Sequence, residues 1–368
     1  MKKNIFVTQP KMPPLEEFIP YLEEIWANKI LTNCGPMHNE LEKELTKLFD
    51  AGYVSLFNNC STALIVALRA LKLTGEVITT PFTFAATAHS LIWNNLTPVF
   101  VDINRNDLNI DVTKIEKAIT KNTSGIFPVH CYGNPCFVDQ IDEIAKKHNL
   151  KVIYDAAHAF NVKKEGRSIL DYGDISVLSF HATKVFNTFE GGAIVTKNKK
   201  TKEYIDNIRN FGIQDEINIP YLGLNGKMSE IHAAFGLLQL KRVDSLIDAR
   251  KEICKLYKNN LNGVRGISFV SSDLGFESNG SYFPLIIEDD YPLNREGLYL
   301  KLKSKKIFAR RYFYPLLSNT EIYRQYQSSS KLNLIVANEL AEKVICLPIY
   351  PELSNEEVIY IANLIKTF

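Results

Sequence analysis

Apolar residues recur along this chain at two different spacings, and the switches between them mark out its elements. From Pro14 onward, Phe18, Leu22, Ile25 and Trp26 fall on one face of a helical wheel. After the turn Thr32-Asn33-Cys34-Gly35-Pro36, a second helix carries Leu41, Leu45, Leu48 and Phe49. From residue 54 to about 196, short apolar strands alternate with helices. The expected strands are Tyr53–Phe57, Val77–Thr79, Thr97–Val101, Gly125–Val129, Lys151–Tyr154, Ile175–Phe180 and Ala193–Thr196. Between them, Val112, Ile115 and Ile119 mark one helix, and Val138, Ile141, Ile144 and Ala145 mark another. This alternation predicts an α/β fold with a mainly parallel central sheet between helices. Ligands of such sheets gather beyond the carboxyl ends of the strands.

The pattern changes after Val243. One long helix is expected from about Met228 to Leu261, with Leu237, Leu238 and Leu240 near its middle. Shorter strands such as Tyr282–Ile287 and polar loops such as Ser271–Ser281 follow. The last helix opens on a capping box, Ser354 with Glu357, ahead of Val358, Ile361, Leu364 and Ile365. A chain of 368 residues has ample length for two units. The expected division is a large domain over 1–245 and a smaller C-terminal α/β domain over 246–368.

Charge narrows the range of partners. Lys+Arg 43 against Asp+Glu 41 leaves a net +2, which gives no argument for nucleic acid or an anionic membrane. No apolar run approaches the length of a bilayer span. The start, Met1-Lys2-Lys3, soon meets Gln9, Pro10 and Lys11 and lacks the apolar stretch of a signal peptide. A cytoplasmic protein is expected. The six cysteines, Cys34, Cys60, Cys131, Cys136, Cys254 and Cys346, are scattered and read as buried free thiols. Cys131 and Cys136 lie near His130, but their spacing fits no standard zinc knuckle, so no metal is expected.

Two blocks carry the chemistry. Val152-Ile153-Tyr154-Asp155 delivers an acid to the end of a strand, and Ser179-Phe180-His181-Ala182-Thr183-Lys184 delivers a hydroxyl and then a lysine. A lysine amine is no nucleophile while protonated, so one placed to react implies an activated site, commonly a Schiff-base site. A carboxylate nearby suits pyridoxal 5'-phosphate (PLP), because it keeps the pyridine nitrogen protonated and the ring an electron sink. Further pieces fit the same site. Ser61 and Thr62 stand at the amino end of an apolar helix, where N–H groups and the dipole favour phosphate. Phe84 could stack on a flat heterocycle, His158 could bond a ring hydroxyl, and Ser179 could donate to phosphate. Singly, each has a plainer explanation: an ordinary N-cap, a core ring, a structural histidine, a hydroxyl on a carbonyl.

Together and in this order, the pieces resemble the sugar-nucleotide aminotransferases of the DegT/DnrJ/StrS type, which have the PLP-dependent transferase type I (aspartate aminotransferase) fold. The likeness runs from the Thr32–Pro36 turn to Leu347-Pro348-Ile349-Tyr350-Pro351 and includes Thr83–Thr87, Val129–Pro135, Glu190-Gly191-Gly192 and Gly223–Met228. It implies that Lys184 bonds the cofactor, Asp155 pairs with the pyridine nitrogen and Phe84 stacks on the ring. By the same likeness His158 takes the place of a ring-hydroxyl partner that is often Gln. Ser61, Thr62 and Ser179 hold phosphate, and Asn225 reaches it from the neighbouring subunit, which implies a homodimer with shared sites. The implied partners are L-glutamate and a nucleotide-linked keto sugar. The segments Val77–Phe84 and His181–Gly192 look most like the subgroup that aminates C4 of dTDP-4-keto-6-deoxyglucose; C3 amination and UDP-4-keto sugars are the alternatives. Relatives that remove a hydroxyl carry His where Lys184 stands. Two positions depart from the family: Cys60-Ser61-Thr62 stands for Ser-Gly-Thr, and Gly226-Lys227-Met228 for aromatic-Arg-Met. Arg310, Arg311, Tyr312 and Tyr314 are candidates for diphosphate or sugar contacts.

Overall fold

The structure is a computed structural model that describes residues 4–270 and 275–368. The Met1-Lys2-Lys3 start and the first four residues of the Ser271–Ser281 loop lie outside the described residues.

All seven expected strands form, with ends that shift by one or two residues. They build one sheet in the order Tyr53–Phe57, Gly192–Thr196, Ile175–Ser179, Lys151–Asp155, Thr123–Phe127, Glu76–Thr79, Thr97–Phe100. Gly192–Thr196 runs antiparallel to both its neighbours, and the other pairs are parallel. Strands such as Ile175–Ser179 are buried along their whole length, as a sheet covered on both faces requires. One face packs on a cluster containing Leu41, Leu45, Tyr154, Leu178 and Phe235, the other on one containing Leu64, Leu68, Ile153, Val177 and Ile205.

Two helical expectations need correction. The stretch from Met228 to Leu261 is two helices, Glu230–Leu240 and Val243–Leu261, broken where Arg242 leaves helical geometry. Glu230–Leu240 is buried around most of its circumference in the large core, while Val243–Leu261 turns Ile253, Tyr257 and Leu261 into a separate core, so one straight rod could not serve both. In the helix Leu15–Asn28, Phe18 and Ile25 are buried but Trp26 is 69% exposed. Trp26 lies roughly 80° around the helix from Phe18, at the edge of the apolar stripe.

The separate core joins Val243–Leu261 to the three-stranded sheet Ile267–Phe269, Phe283–Ile287, Val344–Leu347 and to Asn355–Thr367, whose capping box forms as expected. Ile5, from a short strand paired with Ile307–Phe308, belongs to it too. A third cluster ties the two regions together, with Phe82, Phe100 and Tyr132 against Phe313, Leu316 and Tyr323. Acids at a distance seal helix ends. Glu230 accepts from the Met37 and His38 N–H groups at 2.8 and 2.9 Å, and Asp102 from those of Val336 and Ala337 at 3.1 and 2.8 Å.

Candidate active site

Beyond the carboxyl ends of the central strands lies a cavity of about 340 Å³. Its walls include Ser61, Phe84, Asp155, His158, Ser179 and Lys184, six of the eight expected site residues. Cys60, Glu190, Tyr282, Arg310 and Tyr312 also line it.

Asp155 ends its strand 5% exposed. Thr87 Oγ1 donates to its Oδ2 at 2.7 Å and the Ala157 N–H to its Oδ1 at 3.0 Å. Since the Thr87 proton is spent on Asp155, Thr83, 2.8 Å away, donates to Thr87. Burial pushes the Asp155 carboxyl above its ordinary value, against the pull of Thr87, Ala157 and Lys184. Among the described residues no cation forms an ion pair with it. A buried acid so placed suits a cationic ring nitrogen.

His158 stands three residues on, buried. The Tyr132 N–H donates to its Nδ1 at 3.2 Å, which fixes the neutral ring with its proton on Nε2. Burial, with the charge of Lys184, holds its pKa well below the ordinary value, so the ring stays a neutral donor. Lys184 donates to the Tyr282 hydroxyl at 3.2 Å. Burial lowers its pKa, opposed by Cys60, Asp155 and Tyr312.

The phosphate-like corner differs in detail from the expectation. The helix begins at Cys60, and its N-cap is Asn59, not Ser61 or Thr62. Asn59 Oδ1 accepts from the Thr62 N–H at 2.8 Å and the Thr62 hydroxyl at 2.9 Å. Thr62 is therefore turned to its own cap and is not among the cavity walls, while Ser61 is. The N–H groups of Cys60 and Ser61 have no acceptor among the described residues. Gly192 lets the neighbouring strand press on this end: a Cβ there would lie 2.9 Å from Cys60 N. Ser179 completes the corner, its oxygen taking only a long 3.4 Å bond from the His181 N–H. Acid, neutral imidazole, activated amine and an anion corner are the donor set that PLP needs, and these residues fit it.

Asn225 is exposed and is not among the walls. Its loop is nevertheless anchored beside the corner, with the Asn58 N–H donating to Gly226 O at 2.8 Å. A Cβ at Gly226 would sit 3.0 Å from the Phe57 ring, so the departure from an aromatic residue there brings the loop close. Of the four rim candidates, Arg310 and Tyr312 line the cavity. Arg311 is taken by Glu296 at 2.8 Å and lies 4.3 Å over the Tyr299 ring, and Tyr314 lies under Arg295. Sequence reasoning missed Tyr282, which enters from the loop just before the strand Phe283–Ile287 and had no local motif to mark it.

The six cysteines are free; Cys131, Cys136 and Cys346 are buried, but Cys34, in a turn, Cys60, at a helix start, and Cys254, at the border of the smaller core, are only half-buried. His130 accepts from the Cys136 N–H and stacks on Tyr154, a structural role. Among the described residues no cluster could hold a metal ion, and no helix is long and apolar enough to cross a membrane.

The chain has close relatives along its whole length. The chain is 55% identical over 366 residues to a dTDP-4-amino-4,6-dideoxy-D-glucose transaminase of Shigella dysenteriae, covering 100% of this chain and 99% of the relative. It is 52% identical to the transaminase of the same name in Escherichia coli, covering 99% and 98%. The solved structure of DesI in the presence of its TDP-sugar product superposes with a TM-score of 0.95 at 32% identity, covering 100% of this chain and 93% of that one. Residues 15–366 match a family of PLP-dependent enzymes, and the chain belongs to the DegT/DnrJ/EryC1/StrS aminotransferase family.

Proposed function

We propose that the chain transfers the amino group of L-glutamate to C4 of dTDP-4-keto-6-deoxy-D-glucose, giving dTDP-4-amino-4,6-dideoxy-D-glucose. The convergence of Asp155, His158, Ser179 and Lys184 on one cavity carries the aminotransferase part of this reading. Identity of 55% and 52% to transaminases named for that product supports the sugar.

PLP, when bound, supplies an electron sink that acidifies the carbon bearing the transferred nitrogen. Lys184 would hold the cofactor, and its free amine would serve as general base and acid for the proton at the substrate carbon. Burial lowers its pKa, which favours the neutral amine that a base requires. Asp155 would keep the ring nitrogen protonated, and the Nε2–H of His158 would donate to the ring hydroxyl. Ser61, Ser179 and the free N–H groups at the helix start hold phosphate; Thr62 supports them by fixing that helix start through Asn59. Phe84, 62% exposed at the cavity mouth, covers the ring face. Arg310, which has no acidic partner among the described residues, receives the diphosphate.

The working unit in this reading is a homodimer, and the division into 1–245 and 246–368 is kept with the Ile5 strand added to the smaller part. The run from Phe211 to Leu222 supports a second copy: it exposes Ile217 at 88% and Leu222 at 76%, just ahead of Asn225. Such a patch, continuous with a loop anchored at the phosphate corner, supports the reading in which Asn225 serves the partner's site. The protein acts in the cytoplasm, where nucleotide sugars are made.

The test offers dTDP-4-keto-6-deoxyglucose, its 3-keto isomer and UDP-4-keto sugars with glutamate, and locates the new amine by NMR. Amination at C4 of the dTDP sugar is expected. An amine at C3, or preference for UDP, overturns the substrate and leaves the family untouched.

A further inference from the structure

We propose that Tyr282 is a positioning residue for Lys184, holding the lysine amine in place whenever it is not bonded to the cofactor. The proposal rests on the reading of Lys184 as the cofactor lysine.

The Lys184 Nζ–Tyr282 hydroxyl contact, 3.2 Å, is the hydrogen bond that the free amine makes. Tyr282 itself is locked by rings on three sides. His158 meets it edge-on at 4.8 Å, Tyr132 lies at 5.6 Å and Tyr312 edge-on at 5.7 Å. The loop that carries it is fixed in turn: Ser281 Oγ donates to His158 O at 2.7 Å and Asn279 Nδ2 to the same oxygen at 2.9 Å. The ring that orients Lys184 is thus tied to the loop that carries His158. A freed lysine has four rotatable bonds, and a base that must return a proton to one carbon loses rate when it wanders. A rigid hydroxyl at the end of its reach removes that freedom. Asp155 and Cys60 from the sheet side, and Tyr312, Arg310, His158, His181 and Glu190 around the cavity, are the other titratable or charged groups facing it.

The experiment uses Tyr282→Phe, which keeps the ring and its packing. Apoprotein is prepared, and the rate of Lys184 acylation is followed against pH by peptide mass spectrometry. Lys184 donates in the observed bond, so the hydroxyl favours the ammonium form; its removal should move the labelling midpoint to lower pH. With PLP and both substrates, kcat should fall about tenfold with KM for glutamate unchanged within about twofold. A labelling profile identical to wild type, or one moved to higher pH, overturns the proposal. Borohydride reduction of the PLP-loaded wild type, followed by mapping, separates the two layers. A tag on Lys184 with an unmoved profile sinks only the role of Tyr282, whereas a tag on another lysine sinks both.

Discussion

On the floor of the cavity, Asp155, His158 and Ser179 are buried, and each accepts a hydrogen bond from a nearby donor. At the mouth, Phe84 and Arg310 stand exposed, and neither side chain has a polar partner among the described residues. These floor residues all come from one chain, at or just beyond strand ends that the sheet register holds together. The mouth takes its parts from the helix start at Ala85, from the segment around Arg310 and, in the proposed dimer, from a second copy. A floor finished in advance suits a resident cofactor; an open mouth suits a substrate that must come and go. Mutations should divide the same way, with floor changes striking turnover and cofactor and a mouth change at Arg310 striking substrate affinity.

The largest effect is expected at the floor. Lys184→Ala should lower kcat by on the order of 10⁴ and abolish the response of bound PLP absorbance to glutamate. Repeated turnover near the wild-type rate would remove Lys184 from the mechanism. Asp155→Ala should come next, with turnover down roughly a thousandfold because the ring nitrogen loses its ionic partner. Thermal unfolding of that apoprotein should stay close to wild type, since removing Asp155 relieves the burial that raises its pKa and so offsets the lost bonds from Thr87 and Ala157. Near-normal activity would contradict its role.

A smaller effect separates floor from mouth by pH. His130 and His158 are buried and neutral; burial lowers the first to about 3 and holds the second well below 6.5. Below pH 6.5 the unfolded chain binds protons on these rings and the folded chain does not. Their share of stability is therefore whole above 6.5 and is lost as pH falls toward the folded values. For His130 alone the loss amounts to about 2 kcal/mol by pH 5. Melting curves of the apoprotein from pH 7 to 5 measure it, and His158→Gln should flatten the slope. A slope unchanged by that substitution would mean that His158 titrates normally, and its assignment as a fixed neutral donor would go.

The same comparison explains what the sequence could tell. Asp155 and Ser179 were legible because each is the last residue of its strand, and Lys184 because it follows within a few residues, so a continuous apolar run with a polar end reveals them locally. The seven strands were legible for the same reason. Asn59 was passed over for Ser61 and Thr62, since all three residues suit an N-cap and only the backbone shows where the helix starts. The break at Arg242 was invisible because both flanking segments are helix-forming, and only the existence of two cores demands a turn. Tyr282 lies far along the chain from Lys184, and no spacing rule links them. Resemblance named Asn225, which no local pattern distinguishes from a turn residue.

The smallest expected effect is at the mouth, where two adjacent arginines make a matched pair. Arg311 is held by both oxygens of Glu296, at 2.9 and 2.8 Å, and by the Tyr299 ring, whereas Arg310 faces the cavity. Arg310→Ala should raise KM for the nucleotide sugar about tenfold, the worth of one exposed charge-assisted contact to a phosphate. It should leave kcat and the KM for glutamate within about twofold, because uniform binding is lost and no proton transfer is touched. Added salt should weaken the wild-type enzyme toward the variant as the charge is screened. Arg311→Ala should leave both KM values near wild type, its guanidinium being occupied within the protein. If Arg311→Ala raised KM for the sugar and Arg310→Ala did not, the mouth would be drawn with the wrong arginine. If Arg310→Ala raised KM for glutamate alone, the anion it receives would be the donor's carboxylate rather than the diphosphate.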